Sequence, residues 1–170
     1  MLMRTNKKPI LIYCCLVLLS GCLAKAKPTD PRPTDQITFV ETVEQFQSQY
    51  NSANGNELQQ SEIGKNAVEF LDNQRTFTNW VGTVASVNDV YGDIVVKVHF
   101  QFKQDNETYI SGANIDGYIK GVDPVIAKAL KSGDKVRFTG FVKRESSITA
   151  SGAIENPELA IEGTVTPYQN

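Results

Sequence analysis

The stretch "DIVVKVHFQFK" (Asp93–Lys103) constrains this chain more than any other. Ile94, Val96, Val98, Phe100 and Phe102 alternate with Val95, Lys97, His99, Gln101 and Lys103, so an extended strand here has one apolar face and one largely polar face. A strand of that kind is stable only in a sheet that buries one side. From Phe77 onward the same period of two recurs. "NWVGTVASV" (Asn79–Val87) comes before it, joined by the turn "VYGD" (Val90–Asp93). Thr108–Ile119 offers a third, glycine-punctuated strand region, and "KVRFTGFVK" (Lys135–Lys143) and "ELAIEGTV" (Glu158–Val165) complete the set. Between the third and fourth regions, "VDPVIAKALKSGD" (Val122–Asp134) reads as a short helix, with Asp123 as cap, Pro124 in the first turn and Gly133 as the left-handed stop.

Ahead of Phe77 the apolar period is helical. "TFVE" (Thr38–Glu41) has capping-box spacing, and Phe39, Val43, Phe46 and Tyr50 follow on one face. "NSANGN" (Asn51–Asn56) interrupts the pattern. A second helix is expected over Glu57–Asn73, burying Leu58, Ala67, Val68 and Leu71. The regularly placed aromatics of the first helix point to packing against the domain that follows.

Three strands, a short helix and two strands follow one another in the order of the OB fold, a five-stranded Greek-key barrel. The expected fold class is therefore mainly β (α+β): an OB-type barrel over residues 77–167, preceded by a helical segment over residues 37–76. A small sandwich or an open meander would use the same strands. Gly82 and Gly140 suit places where a barrel strand coils sharply and a side chain would obstruct. Residues Phe77–Pro167, with "NWVGTV" as first strand and "SGDKVRFTG" as the passage into the fourth, resemble the anticodon-binding-like OB domains of poorly characterised bacterial proteins, which often carry a preceding helix and a lipoprotein signal. That likeness matches scaffold positions only and carries over no ligand-contacting residue.

The amino-terminal end has the parts of a secretory signal: Arg4, Lys7 and Lys8 without an acid, then the uncharged "ILIYCCLVLL" (Ile10–Leu19), then small residues. Its apolar core is shorter than the roughly 20 residues a membrane span needs. The exit "LSGC" (Leu19–Cys22) resembles the bacterial lipoprotein box. The resemblance implies removal of residues 1–21 and acylation of Cys22 on its thiol and its new amino group. Two or more acyl chains hold a protein stably on a bilayer where one does so only marginally. Cys14 and Cys15 would leave with the signal, so the remaining chain has no thiol for a disulfide. Residues 22–36, with Pro28, Pro31 and Pro33, read as a lipidated cysteine and an extended tether. Leu23 after the cysteine implies, by the sorting rule of enteric bacteria, the outer membrane, on its periplasmic side or its surface. Loss of residues 1–21 removes three of 17 basic residues and none of 19 acids, moving the formal charge from −2 to −5. That balance argues against nucleic acid as a ligand.

No catalytic set, metal site or cofactor motif emerges. His99 is the one histidine, and its neighbours Lys97 and Lys103 oppose a cation, so it reads as an outward polar-face residue. The acids Asp89, Asp93, Asp105, Glu107, Asp116, Asp123 and Asp134 are scattered, most in expected turns, and none is singled out. OB barrels bind on their second and third strands. The candidate ligand face is therefore Lys97, His99, Gln101 and Lys103, with Tyr91, Tyr109 and Tyr118 near it. Those tyrosines either stack on a ligand or cap the core, and without an aligned track capping is the favoured reading. Trp80 is expected in the barrel core. The function expected is a membrane-anchored envelope lipoprotein whose non-catalytic barrel binds a protein or glycan partner. An envelope polymer hydrolase and a surface-exclusion or immunity-type lipoprotein are the alternatives.

Overall fold

In the computed structural model five strands close into one barrel, in the order β1 (Thr76–Val90), β2 (Asp93–His99), β5 (Asp116–Lys120), β7 (Glu158–Pro167), β6 (Lys135–Val142), and back to β1. All neighbours are antiparallel except β5 and β7, which run parallel. Helix α3 (Pro124–Ala129) lies between β5 and β6, and helices α1 (Thr34–Ser52) and α2 (Glu57–Asn73) precede the barrel. The fold is mainly β and OB-like, with the barrel closed. The structure describes residues 30–100, 102–104, 107–109, 114–143 and 149–169. The expected signal, Cys22, most of the tether and Gln101 lie outside these.

Alternation decides which side chains fill the barrel. Val96 and Val98 on β2, Ile119 on β5, and Leu159 and Ile161 on β7 face inward and are fully buried or nearly so. Phe77, Trp80, Phe100 and Phe138 form the centre, with Phe77 and Trp80 edge to face at 4.6 Å and Phe100 against Phe138 at 5.3 Å. Close strand approach sets where side chains are excluded. A β-carbon on Gly82 would lie 2.3 Å from Val98 Cγ1 and 2.7 Å from the His99 carbonyl oxygen. Gly140 and Gly163 face each other across β6 and β7, and a β-carbon on Gly163 would lie 2.2 Å from the Thr139 carbonyl oxygen. Both glycines singled out in the sequence thus sit where the barrel is tightest.

Helix α1 belongs to the barrel's core. Its Phe39 packs on Trp80 at 5.2 Å and on Phe70 of α2 at 5.3 Å. Gln36 is fully buried, and its amide pairs reciprocally with Val81 of β1. The Gln36 Nε2 donates to the Val81 carbonyl at 2.6 Å, and the Val81 N–H donates to Gln36 Oε1 at 2.8 Å. Val81 precedes Thr83, where pairing with β2 begins, so the glutamine takes the place of the missing strand partner. Asp35 accepts a 2.8 Å hydrogen bond from the Trp80 indole N–H. These contacts explain why α1 begins at Thr34, inside the stretch expected to be tether, and not at the "TFVE" capping signal. Tertiary partners for Asp35 and Gln36 outweigh a local cap worth about 1 kcal/mol.

Helix α2 runs as expected, capped by Asn56, which accepts from the Gln59 N–H, but Leu58 is exposed instead of buried. The buried stripe is Ile63, Ala67 and Leu71. Leu58 lies five residues before Ile63, which is roughly 140° around the helix at 3.6 residues per turn. Asp123 caps α3 as expected. Gly133, however, is not the stop of that helix, which ends at Ala129. Its positive φ belongs to the turn Lys131–Asp134 and delivers its N–H to the Val84 carbonyl of β1 at 2.8 Å. Helix α4 (Ala150–Glu155), between β6 and β7, had no counterpart in the sequence reading. It is capped by Thr149, and its Ala153 and Ile154 are buried, with the Ile154 carbonyl accepting from Gln47 Nε2 of α1 at 2.6 Å.

Candidate ligand face

The long strand expected over Asp93–Lys103 stops at His99. Phe100 turns its buried ring into the core while its N–H donates to the Ile115 carbonyl. The chain then forms a separate two-stranded sheet, β3 (Phe102–Gln104) with β4 (Glu107–Tyr109). Lys103 and Tyr109 therefore belong to that hairpin and not to the barrel face, a correction to the expected row Lys97, His99, Gln101, Lys103. The third barrel strand is only Asp116–Lys120. The bend at Phe100 ends the barrel strand although the apolar alternation continues past it.

Register places nine residues on the outward side of β2, β5 and β7. His99, Asp116 and Glu158 form one row; Lys97, Tyr118 and Ala160 the next; Val95, Lys120 and Glu162 the third. Asp116 is the residue that organises this face, and it is only 4% exposed. Its Oδ2 pairs with Lys97 Nζ at 2.8 Å and its Oδ1 with His99 Nδ1 at 2.5 Å. Its own N–H donates to the Pro157 carbonyl at 2.9 Å. A buried carboxylate is tolerable only when its oxygens are engaged in this way. Asp116 holds the Lys97 ammonium above the ordinary lysine range, and Tyr118 adds to that effect.

Tyr118 lies between the rows. Lys97 Nζ stands 5.0 Å from its ring centroid, a cation–π contact, and its hydroxyl donates to Glu158 Oε1 at 2.9 Å. Asn156 Nδ2 reaches the same oxygen at 3.5 Å. His99 keeps 47% of its side chain exposed, so it is a surface residue as read from the sequence, but with a buried acid behind it.

The remaining tyrosine named from sequence, Tyr91, is fully exposed at the tip of the β1–β2 hairpin and covers no core. It has φ +55°, followed by Gly92 at +89°, a turn with two left-handed residues. That backbone suits the right-handed twist of a hairpin, but Asn-Gly is its favoured sequence and a bulky first residue is strained. Trp80 is buried in the core as expected.

The sequence reading passed over Asp116 and Glu158. The alternation of Asp116, Tyr118 and Lys120 against Gly117 and Ile119 marks a two-faced strand, but only the pairing register reveals that Asp116 sits beside His99. Among the described residues, no three of His, Cys, Asp and Glu converge as a metal site would require. Among them, too, no helix is long and apolar enough to cross a membrane. Comparison with known protein families and with curated proteins finds no match, so no residue role comes to this face from a relative.

Proposed function

We propose that this chain is an envelope lipoprotein, fastened to a membrane through acylated Cys22, whose OB-like barrel binds a protein or glycan partner on the β2–β5–β7 face without chemically altering it. The site observation that carries the binding half is the Asp116 cluster. Asp116 and Glu158 are neighbours in register, as the acid pair of a hydrolase would be, yet Asp116 has both oxygens engaged and Glu158 has one. Lys97 and His99 take the two oxygens of Asp116, and Tyr118 holds Glu158. An acid pair for glycosidic cleavage needs one group free to give a proton and the other free to receive the sugar or a water. Fixed, mutually paired polar groups around one ring instead suit recognition.

The anchoring half rests on "LSGC" after an uncharged apolar run, and on the few residues between Cys22 and the helix start at Thr34. At ~3.1 Å per residue an extended proline-rich segment of that length spans only a few nanometres, which keeps the barrel near the lipid surface. The test is mass spectrometry of the amino-terminal peptide together with fractionation of the Cys22→Ala form. An acylated peptide starting at Cys22, and release of the variant into aqueous buffer, are the expected results. An unmodified peptide from a wild-type protein that washes free would overturn the anchor. For binding, retention of one envelope component by wild type and its loss with Tyr118→Ala is expected.

A further inference from the structure

Resting on that reading of the β2–β5–β7 face, we infer that His99 Nε2 is the hydrogen-bond acceptor of the site, and that the ligand it fits is a neutral polyhydroxyl chain, a glycan. The tautomer follows from the partners. Asp116 Oδ1 faces Nδ1, and Lys97 occupies Oδ2, so the carboxylate can only accept and Nδ1 must carry the proton. In the neutral ring Nε2 then holds a lone pair. Among the described residues Nδ1 is the ring nitrogen with a partner, and the ring is nearly half exposed. A ligand arriving there must bring a donor.

The charges around it exclude a polyanion. Lys97 is matched by Asp116 on the adjoining strand, Lys120 has Glu162 as its register neighbour, and Glu158 is bonded to Tyr118. The face has no surplus of cations to hold phosphate, sulfate or an acidic polymer. It is equally poor for a protein partner. Protein interfaces gather around an exposed apolar core, and the exposed large apolar residues of the described chain (Leu58, Val90, Tyr91, Val125 and Phe141) are all off this grid. β2 and β5 are paired on both sides across the grid, and β7 pairs with β6 from Ile161 onward with the Lys143 N–H on the Ala160 carbonyl, so only the short end of β7 at Glu158 is left for a peptide to extend.

What the face does present is a tyrosine ring beside Ala160, the smallest of the nine outward side chains, with fixed hydrogen-bonding groups one row away. Two residues along a strand are ~6.7 Å apart, comparable with one sugar ring. A pyranose can lay its C–H face on Tyr118 while one hydroxyl donates to His99 Nε2 and another to Glu158.

Because His99 is the only histidine, its Cε1–H gives a single NMR resonance from the intact protein, and that resonance reports both occupancy and protonation. The full-length protein in a detergent without sugar head groups is titrated with a neutral N-acetylglucosamine tetramer, a sulfated oligosaccharide and an extended peptide. Saturable displacement of the His99 signal by the neutral tetramer is expected. The ring nitrogens followed in the same titration should show the neutral tautomer with its proton on Nδ1, and Nε2 as the nitrogen whose signal moves on binding. Asp116 contacts the imidazole, Lys97 is paired to Asp116, and Tyr118 and Glu158 follow from Lys97, and the NMR signal reads the ring with all of them present. An unmoved signal with the tetramer, preference for the sulfated chain or the peptide, or a neutral ring with its proton on Nε2 would each overturn the inference. None of these results bears on whether Cys22 carries lipid, and a failed anchor leaves this titration unchanged.

Discussion

Gln36→Ala should unfold helix and barrel together. The side chain has no solvent exposure and makes two short hydrogen bonds, 2.6 and 2.8 Å, to the two backbone groups of Val81, which is itself fully buried. Truncation leaves a buried N–H and a buried C=O without partners. Each such orphan costs about 1–3 kcal/mol, so the loss is about 2–6 kcal/mol. That is a large part of the 5–15 kcal/mol that holds a typical domain together, and it corresponds to a fall in Tm of roughly 10 °C for a chain of this size. The assay is urea unfolding followed by two probes. Far-ultraviolet circular dichroism reads mainly α1 and α2, the two long helices. Fluorescence reads Trp80, the only tryptophan, whose indole N–H is bonded to Asp35 of α1. The two curves should overlay in the wild type and move together in the variant. A loss under about 1 kcal/mol would refute the reasoning, because the orphaned groups must then find water. So would a helix signal that melts ahead of an unshifted tryptophan signal, because α1 would then be an appendage.

Gly163→Ala forces a β-carbon to within 2.2 Å of the Thr139 carbonyl oxygen, so β6 and β7 must part, and a loss at or above about 3 kcal/mol in the same unfolding assay is expected. Tyr91→Asn relieves a bulky left-handed residue at a fully exposed position and should raise stability by about 0.5–1 kcal/mol in thermal melts; a loss would show that the turn is not strained. Lys97 should titrate above the other lysines when followed by NMR of the dimethylated amines, and Asp116→Asn should return it toward them. The sign follows from the raised value: the ion pair contributes fully below the ordinary lysine range and is lost only as pH climbs through the elevated one. An ordinary Lys97 titration would break the Asp116 cluster as described.

What could be read from the chain divides by range. Helix α2, the cap of α3 and the strand order depend on neighbours a few residues apart, and the residues specify them: the NSANGN break sets the start of α2, and Asp123 caps where it is expected. Gly82 and Gly140 also announce themselves, because a glycine inside a strand has few other uses. The misplaced features are those that a distant partner decides. Pro33 and Asp35 are only weak local signs of a helix start at Thr34, and the stabilising groups, Trp80 and Val81, lie 45 residues from Asp35 and Gln36 in sequence. Helix α4 is short and has little amphipathic signal of its own, and it exists by packing on α1 and α2. The continued alternation through Phe102 hides the bend at Phe100, because period two describes β2 and the separate β3 hairpin equally well.

The same division explains the ligand face. Lys97 and His99 are visible as alternate positions of one strand, but their significance comes from Asp116, 17 residues beyond His99, which lies in the expected third strand region with nothing local to single it out. A buried acid on the outward side of a barrel has a cost that a leucine or threonine there would avoid. The cost is offset only by drawing Lys97 and His99 down onto the sheet, which fixes two side chains that would otherwise be mobile. Two explanations compete: the carboxylate fixes the local fold, or it preorganises a lysine over Tyr118 and one imidazole nitrogen toward solvent. Asp116→Leu separates the two explanations. If the carboxylate serves recognition, the variant should be as stable as wild type or more so in urea, while the His99 response to neutral sugar disappears. If the carboxylate is there for the fold, stability falls by the 3–5 kcal/mol typical of breaking a buried pair.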